Sequence, residues 1–539
     1  MRRHLAILTT LLALSAAVQC WAVWHAVTPA LDAVRYASIA QGIATGGFWP
    51  TVRVESEHPL YPALVYLASL LVKACRGDIP DLWAQSVQLA AAAPLVLAVV
   101  PAYGVLTRMF SRRIAAAGSI LFCLLPEVAR LGADGISDST HLLFGLLALW
   151  AIATYLTPRS VIQENRSPYL LLMAGLAVGL ALLARAEAIL ILPALVLTLL
   201  WTQLRGEFRQ SWTRVAAGLA LLTVGLGLVL IPYLAVVEAA SPRAAIARVL
   251  GRGDGPSSLK GSEKSADAVA AWRFADGAAM SFSVKETSVT SRFRGYPAAI
   301  KEYAEELAKT FQYWAGALAV CGVWAVRRRN WRPIDMFAAC LFTIVSLATI
   351  HVAASAGYLA SRHLLLLVPI GLGYAAAGLE GVLSLLRWPR KLSSSSFILH
   401  PSSLCLTVSA LVFLSTLPLH ASRAGHRQAA EWLTQGGRVP GSVLDTRGLT
   451  GLYSGRLTRR YDAAAAMFAD PRLAYVVVER HEMTFDSERG RTLRRLLATA
   501  GQSPIEFHGP SGDSRETVLV YRWQPARFAR LLSAIAQTK

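Results

Sequence analysis

The stretch at residues 29–73, PALDAVRYASIAQGIATGGFWPTVRVESEHPLYPALVYLASLLVK, places ionisable side chains between two strongly apolar segments. Asp32, Arg35 and Tyr36 fall at i, i+3 and i+4, so a helix here carries them on one face. The piece ALDAVRYASIAQGIATGG reads as a helix ended by Gly46 and Gly47, and LYPALVYLASLLVK as a second, amphipathic one. Both are expected to lie along a membrane surface. Glu57 and His58 stand directly before a Pro-x-x-Pro segment. A carboxylate at the mouth of a membrane bundle is a candidate site. Asp32 also has a plainer reading, as the N-cap of a helix beginning at Ala33.

Working outward, the chain has 539 residues, of which 54% are hydrophobic and 16% charged. That balance excludes an ordinary soluble protein of this length and makes the long apolar runs membrane spans. The net charge of +20 comes from short Lys and Arg clusters between apolar runs. This is the pattern of positive-inside topology, not of a nucleic-acid-binding face. Of the six cysteines, five lie in apolar runs and none has Cys-x-x-Cys spacing, so neither a disulfide framework nor a zinc-thiolate site is implied. The basic start and apolar run of MRRHLAILTTLLALSAAVQCWAVW read as an uncleaved first span, because no small residue precedes Cys20 and the run continues to Val27.

Reading on, about eleven spans are expected, the last at 404–419. With the N-terminus cytoplasmic, the basic turns TRMFSRR, LRGEFRQSWTR, RRRNWRP and RWPRK all fall on the cytoplasmic side. The opposite face then gathers the first loop (29–82), ARLGADGISD, Arg185 and Glu187 in LARAEAIL, a polar excursion at 238–305, and GYLASRH. The apolar stretch from Tyr169 to Trp201 is too long for one crossing, so Arg185 and Glu187 are expected to mark an outer turn. The excursion is a candidate lid, and the serine run after RWPRK a solvated linker. Residues 1–420 thus form the membrane domain. Residues 421–539, with strand patterns GSVLDT, AYVVVER and TVLVYRW between helical ones, form a small extracytoplasmic α/β domain. No nucleotide-binding or metalloprotease motif occurs, which argues against an ATP-driven mechanism.

The order of DAVRYASIAQGIATG, HPLYPALVYLASLL, LARAEAIL and YLASRHLLLLVPI resembles the polytopic GT-C fold glycosyltransferases, in the branch of the protein O-mannosyltransferases, the aminoarabinose lipid A transferases and the RgtA-type transferases. The resemblance implies an all-α membrane protein with a small α/β C-terminal domain, in the cytoplasmic membrane. It also implies a sugar taken from a polyprenyl-phosphate donor and given to a lipid, glycan or protein acceptor on the outer face. The sequence departs from the familiar Asp-Glu pair of the first loop, since Ala33 follows Asp32. A second carboxylate would have to be Glu57 or Asp138.

In that chemistry Asp32 is the expected base for the acceptor hydroxyl, and Arg362 with His363 the expected partners of the donor phosphate. Arg35, Tyr36, Glu57, His58, Tyr61, Asp138, Arg185 and Glu187 complete the candidate substrate-binding set. Each has a duller rival. Arg362 reads equally as an interfacial residue, Asp138 as a helix cap, Glu187 as a counter-ion to Arg185, and the tyrosines as interfacial aromatics. No metal site is expected in the donor set, because adjacent Glu57 and His58 do not make one alone, although a divalent cation is compatible with the chemistry. The competing class is a transporter or flippase of lipid-linked sugars. Against it, the charges gather at one face and the two halves do not match. The topology predicts that a cysteine at Ser262 or Gly512 reacts with a membrane-impermeant reagent from outside, and one at Asn330 only from inside; cytoplasmic labelling at Ser262 would discard this arrangement.

Overall fold

The computed structural model describes residues 2–55, 57–157, 167–205, 211–237, 295–326, 331–356, 359–387, 418–435, 438–456, 470–484, 488–510 and 516–537, with 272–273, 279–280, 414, 458–459 and 468 besides. Helix α1 (Arg2–His25) has 24 residues and no acid in its first turn, roughly 36 Å at the α-helical rise and enough to cross a bilayer. Three helices then occupy the first loop: α2 (Leu31–Gly46), α3 (Phe48–Val54) and α4 (Leu60–Arg76). Gly47, at φ +85°, closes α2 where the sequence places its end.

Helix α5 (Leu82–Met109) crosses next and turns into α6 (Arg112–Leu124), capped by the Ser111 hydroxyl. The apolar run after Ser111 is two helices: α6 and α7 (Pro126–Asp134) meet at a 47° bend. Leu125, preceding a proline, is held extended at ψ 121°, and Pro126 occupies the first position of α7, where its missing N–H costs nothing. Beyond Asp134 come α8 (Asp138–Leu156), α9 (Tyr169–Leu182), a 3₁₀ turn (Ala186–Leu190), α10 (Ile191–Leu204) and α11 (Trp212–Val236). The break between α9 and α10 falls at Arg185, as the length of the apolar stretch requires.

A two-residue hairpin, β1 (Trp272–Arg273) with β2 (Ala279–Met280), is all that is described within 238–294. After it follow α12 (Tyr296–Thr310), α13 (Trp314–Val326), α14 (Pro333–Ala356), a 3₁₀ segment (Ser361–Leu367) and α15 (Val368–Arg387). Among the described residues seven helices are long and apolar enough to cross a membrane, eight with the bent α6–α7 pair counted as one, and α9 and α13 are shorter apolar helices. The span expected at 404–419 lies almost wholly outside the described residues, as do the serine run, most of the candidate lid, and residues 262, 330 and 512.

The two short apolar helices each lie against a long one through paired glycines. A Cβ on Gly175 of α9 would sit 2.1 Å from the Leu222 carbonyl oxygen, and one on Gly225 of α11 would sit 2.3 Å from that of Leu172. Gly322 and Gly378 do the same between α13 and α15. In a membrane, where lipid is as apolar as leucine, such backbone contact supplies the packing energy that hydrophobicity cannot.

The C-terminal domain is a five-stranded sheet of order β4-β3-β5-β7-β6. Its strands are β3 (Ser442–Asp445), β4 (Thr458–Arg459), β5 (Leu473–Glu479), β6 (Ile505–Phe507) and β7 (Val518–Arg522). Strand β3 is parallel to β4 and β5, and β7 antiparallel to β5 and β6. Along β5, Val476 and Val478 pack into one core with Leu493 and Trp523, and Tyr475 and Val477 into another with Leu433. Burial on both faces explains why its sequence is an unbroken apolar run. Helix Leu449–Ser454 seats the domain on the first loop: Leu452 joins Ala33, Tyr61 and Val87 in one cluster, and Gly448 lies against Val34. Gly225→Leu is expected to lower the melting temperature of detergent-purified protein, at a cost of about 1–3 kcal/mol from overpacking. Gly381→Leu, at a glycine with nothing within 4 Å, should leave it unchanged.

Candidate active site

The site begins at the N-terminus of α2. Ala30 is the N-cap, and its amide is taken by the Asp134 carbonyl at 2.9 Å. Asp32 is therefore the second helical residue and caps nothing. Its Oδ2 instead accepts from Arg362 Nη1 at 2.6 Å, across 330 positions of sequence. The N-cap reading is thereby replaced by an ion pair, and the helix dipole adds its own preference for a carboxylate in the first turn. Arg362 is not a lone interfacial cation either.

Residues 359–363 run as a strap across one end of the bundle, held by carboxylates from four separate elements. The Leu359 amide donates to Glu302 Oε1 on α12 at 3.0 Å, and the Ser361 hydroxyl to Glu127 Oε2 on α7 at 3.1 Å. Arg362 reaches Asp32 on α2, and His363 Nδ1 lies 3.0 Å from Glu187 Oε1 in the 3₁₀ turn after α9. Leu364 to Leu367, all buried, anchor the strap below. Glu127 is also bonded to Arg130 Nη2 at 2.6 Å, one helical turn on.

Beneath the exposed pair lies a buried one. Asp138, 1% exposed, meets Arg185 Nη1 at 2.7 Å, while Arg185 Nε and Nη2 fork onto Glu187 at 3.2 and 2.8 Å. Asp138 follows the N-cap Ser137, so the capping role read from the sequence gives way to this pair. Removing one partner of such a buried pair costs about 3–5 kcal/mol. Asp138 Oδ2, Arg362 Nε and His363 Nε2 are buried without a hydrogen-bond partner among the described residues.

The rest of the set surrounds this core. Arg35 Nη1 and Glu57 Oε1 are 2.6 Å apart, which occupies Glu57 with a cation. The Tyr36 hydroxyl meets Ser137 Oγ at 2.9 Å, and burial pushes it up to about 12. Tyr61, fully buried, donates to the Val87 carbonyl, bracing α5, and stacks edge-on with Tyr36. His58 is pushed down to about 4, chiefly by burial, with Glu187 opposing and Arg185 and His141 assisting, so it is neutral at pH 7. Among the described residues no three His, Cys, Asp or Glu side chains converge as metal ligands.

Glu127, Glu302 and Ser361 escaped the sequence reading, as did His420, which stands just before the C-terminal domain and bonds Asp134 on α7 at 2.7 Å. The i, i+3, i+7 spacing of Glu127, Arg130 and Asp134 in PEVARLGAD was the available signal. Nothing local marks Glu302.

A model of the family described as dolichyl-phosphate-mannose-protein mannosyltransferase matches residues 81–228, less than half of the chain. No curated protein matches the sequence. Among solved structures, ArnT from Cupriavidus metallidurans bound to undecaprenyl phosphate is similar over 95% of this chain and 97% of its own, with a TM-score of 0.61 and 13% identity. An apo oligosaccharyltransferase from Archaeoglobus fulgidus is similar over 97% of this chain and 74% of its own, with a TM-score of 0.54 and 13% identity. The archaeal oligosaccharyltransferase AglB from the same organism, in complex with an inhibitory peptide and a dolichol-phosphate, is similar at a TM-score of 0.50 and 12% identity, over 95% and 73%. The chain thus has the GT-C fold of these membrane proteins over most of its length, with apolar helices long enough to cross a membrane and a cluster of charges at one end of the bundle.

Neutral His58 gives the site a pH signature. Its folded pKa lies below its unfolded value, so its stabilising contribution is complete above about pH 6.5 and is lost as pH falls towards about 4. The melting temperature is expected to drop through this window, and His58→Gln to flatten the drop; an identical pH profile in the variant would refute the assignment.

Proposed function

We propose that the protein transfers a sugar from a polyprenyl-phosphate donor to an acceptor hydroxyl on the extracytoplasmic face, with Asp32 as base and Arg362, with His363, meeting the donor phosphate. The observation that carries this reading is the Asp32–Arg362 pair, 2.6 Å long and part-exposed at the outer end of the bundle. A carboxylate oxygen held at this position can take a proton from an acceptor hydroxyl. As the acceptor oxygen bonds to the anomeric carbon its proton passes to Asp32, the bond from that carbon to the phosphate oxygen breaks, and the lipid phosphate departs with the electron pair. Its charge is met by Arg362, whose buried Nε has no hydrogen-bond partner among the described residues, and by His363, whose Nε2 has none among them either. The similarity to an ArnT bound to undecaprenyl phosphate and to an AglB complexed with a dolichol-phosphate supports a lipid-phosphate ligand of this kind. The acceptor is a lipid, glycan or protein, on the extracytoplasmic side of the cytoplasmic membrane.

The deeper residues are scaffold in this scheme. Arg185, held by Asp138 and Glu187, fixes Glu187 so that it orients His363. Arg35 and Glu57 flank the entrance above Tyr36, and no step is routed through a metal.

Transfer at saturating donor and acceptor tests the assignment. Asp32→Asn is expected to reduce turnover by about 10²-fold or more with donor binding little changed. Arg362→Ala should weaken donor binding and slow turnover together, with Arg362→Lys restoring only part, because a single ammonium cannot fork onto a phosphate. Transfer within a few-fold of wild type by folded Asp32→Asn would send the search for the base to Glu57 and Asp138.

A further inference from the structure

At the opposite end of the bundle from Asp32, α1, α5 and α8 enclose a cleft of about 330 Å³. Its deeper wall is apolar: Leu8, Val100 and Trp150, the indole lying on Gly104, where an added Cβ would be 2.6 Å away. Its outer wall is polar, with His4 Nδ1 at 3.0 Å from the Tyr103 hydroxyl, and Arg108 one turn beyond. Polarity therefore grades along the cleft from a cation at the helix ends to hydrocarbon towards the middle.

The charge around it has one sign. Helices α1, α5 and α6 contain Arg2, Arg3, Arg108, Arg112 and Arg113 and no Asp or Glu. Of the described acids at this end, Asp335 is bound by Arg332 at 3.0 Å, Arg332 also donating to the Arg108 and Met109 carbonyls, and Glu380 lies on α15, which packs against α6. A ligand that suits both walls carries an anion on a hydrocarbon tail, and a free anion would leave the apolar wall unused.

We infer that this cleft binds one anionic glycerophospholipid, its phosphodiester at Arg108 and an acyl chain along Leu8, Val100 and Trp150. It is independent of the transfer chemistry, because none of its residues touches the strap or its carboxylates. Such a lipid would brace α1 against α5 at the end of the bundle where few polar contacts join them.

Native mass spectrometry of the full-length protein in detergent, titrated with phosphatidylglycerol or with phosphatidylcholine of matched chains, tests the inference. One retained phosphatidylglycerol with about fivefold preference over phosphatidylcholine is expected, from about 1 kcal/mol per nearby Arg. The preference should vanish in Arg108→Gln and persist in Arg108→Lys, and Val100→Trp should exclude both lipids. Melting in lipid-free detergent checks folding, and should Val100→Trp fail to fold, the two Arg108 variants decide. Equal retention of the two lipids, or an unchanged preference in Arg108→Gln, would overturn the inference. So would displacement of the lipid by inorganic phosphate or by a polyprenyl phosphate, which would make the site one for a different phosphate.

Discussion

The strap at 359–363 is the constraint on which one end of the helical bundle depends. Four of its five residues meet carboxylates on α12, α7, α2 and the turn after α9, elements that the sequence scatters from position 32 to position 302. No adjacent pair of helices could bring these groups together alone. Each carboxylate is held by its own element, so the position of the Arg362 guanidinium is set by four independent ties together with the buried leucines below it. The 47° bend at Leu125–Pro126 is part of this arrangement. A straight helix through Leu124 would carry Glu127 along the span axis, whereas the turned α7 presents Glu127 to Ser361 and Asp134 to His420.

Two kinds of ion pair coexist within this frame, and they behave differently. Arg185 with Asp138 and Glu187 is deep and forked, so an isolated loss leaves an uncompensated charge in a dry setting. Asp32 with Arg362 is part-exposed, at 52% and 34%, and a pair in water contributes little net stability. The first kind is suited to fixing geometry and the second to being exchanged.

Much of this was legible in the sequence, for definable reasons. The alternation of basic turns with apolar runs gave the architecture, because the bilayer imposes both. The valine run of β5 announced a strand, because both its faces are buried. Asp32, Arg362 and His363 could be named individually as ionisable groups next to spans. That the first two form a pair was not readable, since 330 positions separate them and no local rule links them. Asp138 misled for the opposite reason: local chemistry in SDSTH offers a complete capping explanation, and only the fold brings Arg185 against it. Glu302, on an amphipathic helix full of surface charges, carries no mark of its task.

The exchangeability of the outer pair bears on how donor and acceptor chemistry would be kept in order under the proposed reading. An ion pair closed on itself satisfies Arg362 while no phosphate is near, so the arginine is not left with an uncompensated charge and the carboxylate is held in place. The two unesterified oxygens of a donor phosphodiester can take the fork of a guanidinium in exchange for a carboxylate. The donor's arrival would draw Arg362 away and leave Asp32 half-exposed and free of its guanidinium. Base and phosphate site would then be coupled through one side chain, so that the proton acceptor becomes free only when the sugar donor is bound. The buried Arg185 cluster does not take part in the exchange; it holds Glu187, and through it His363, in register while the outer pair opens.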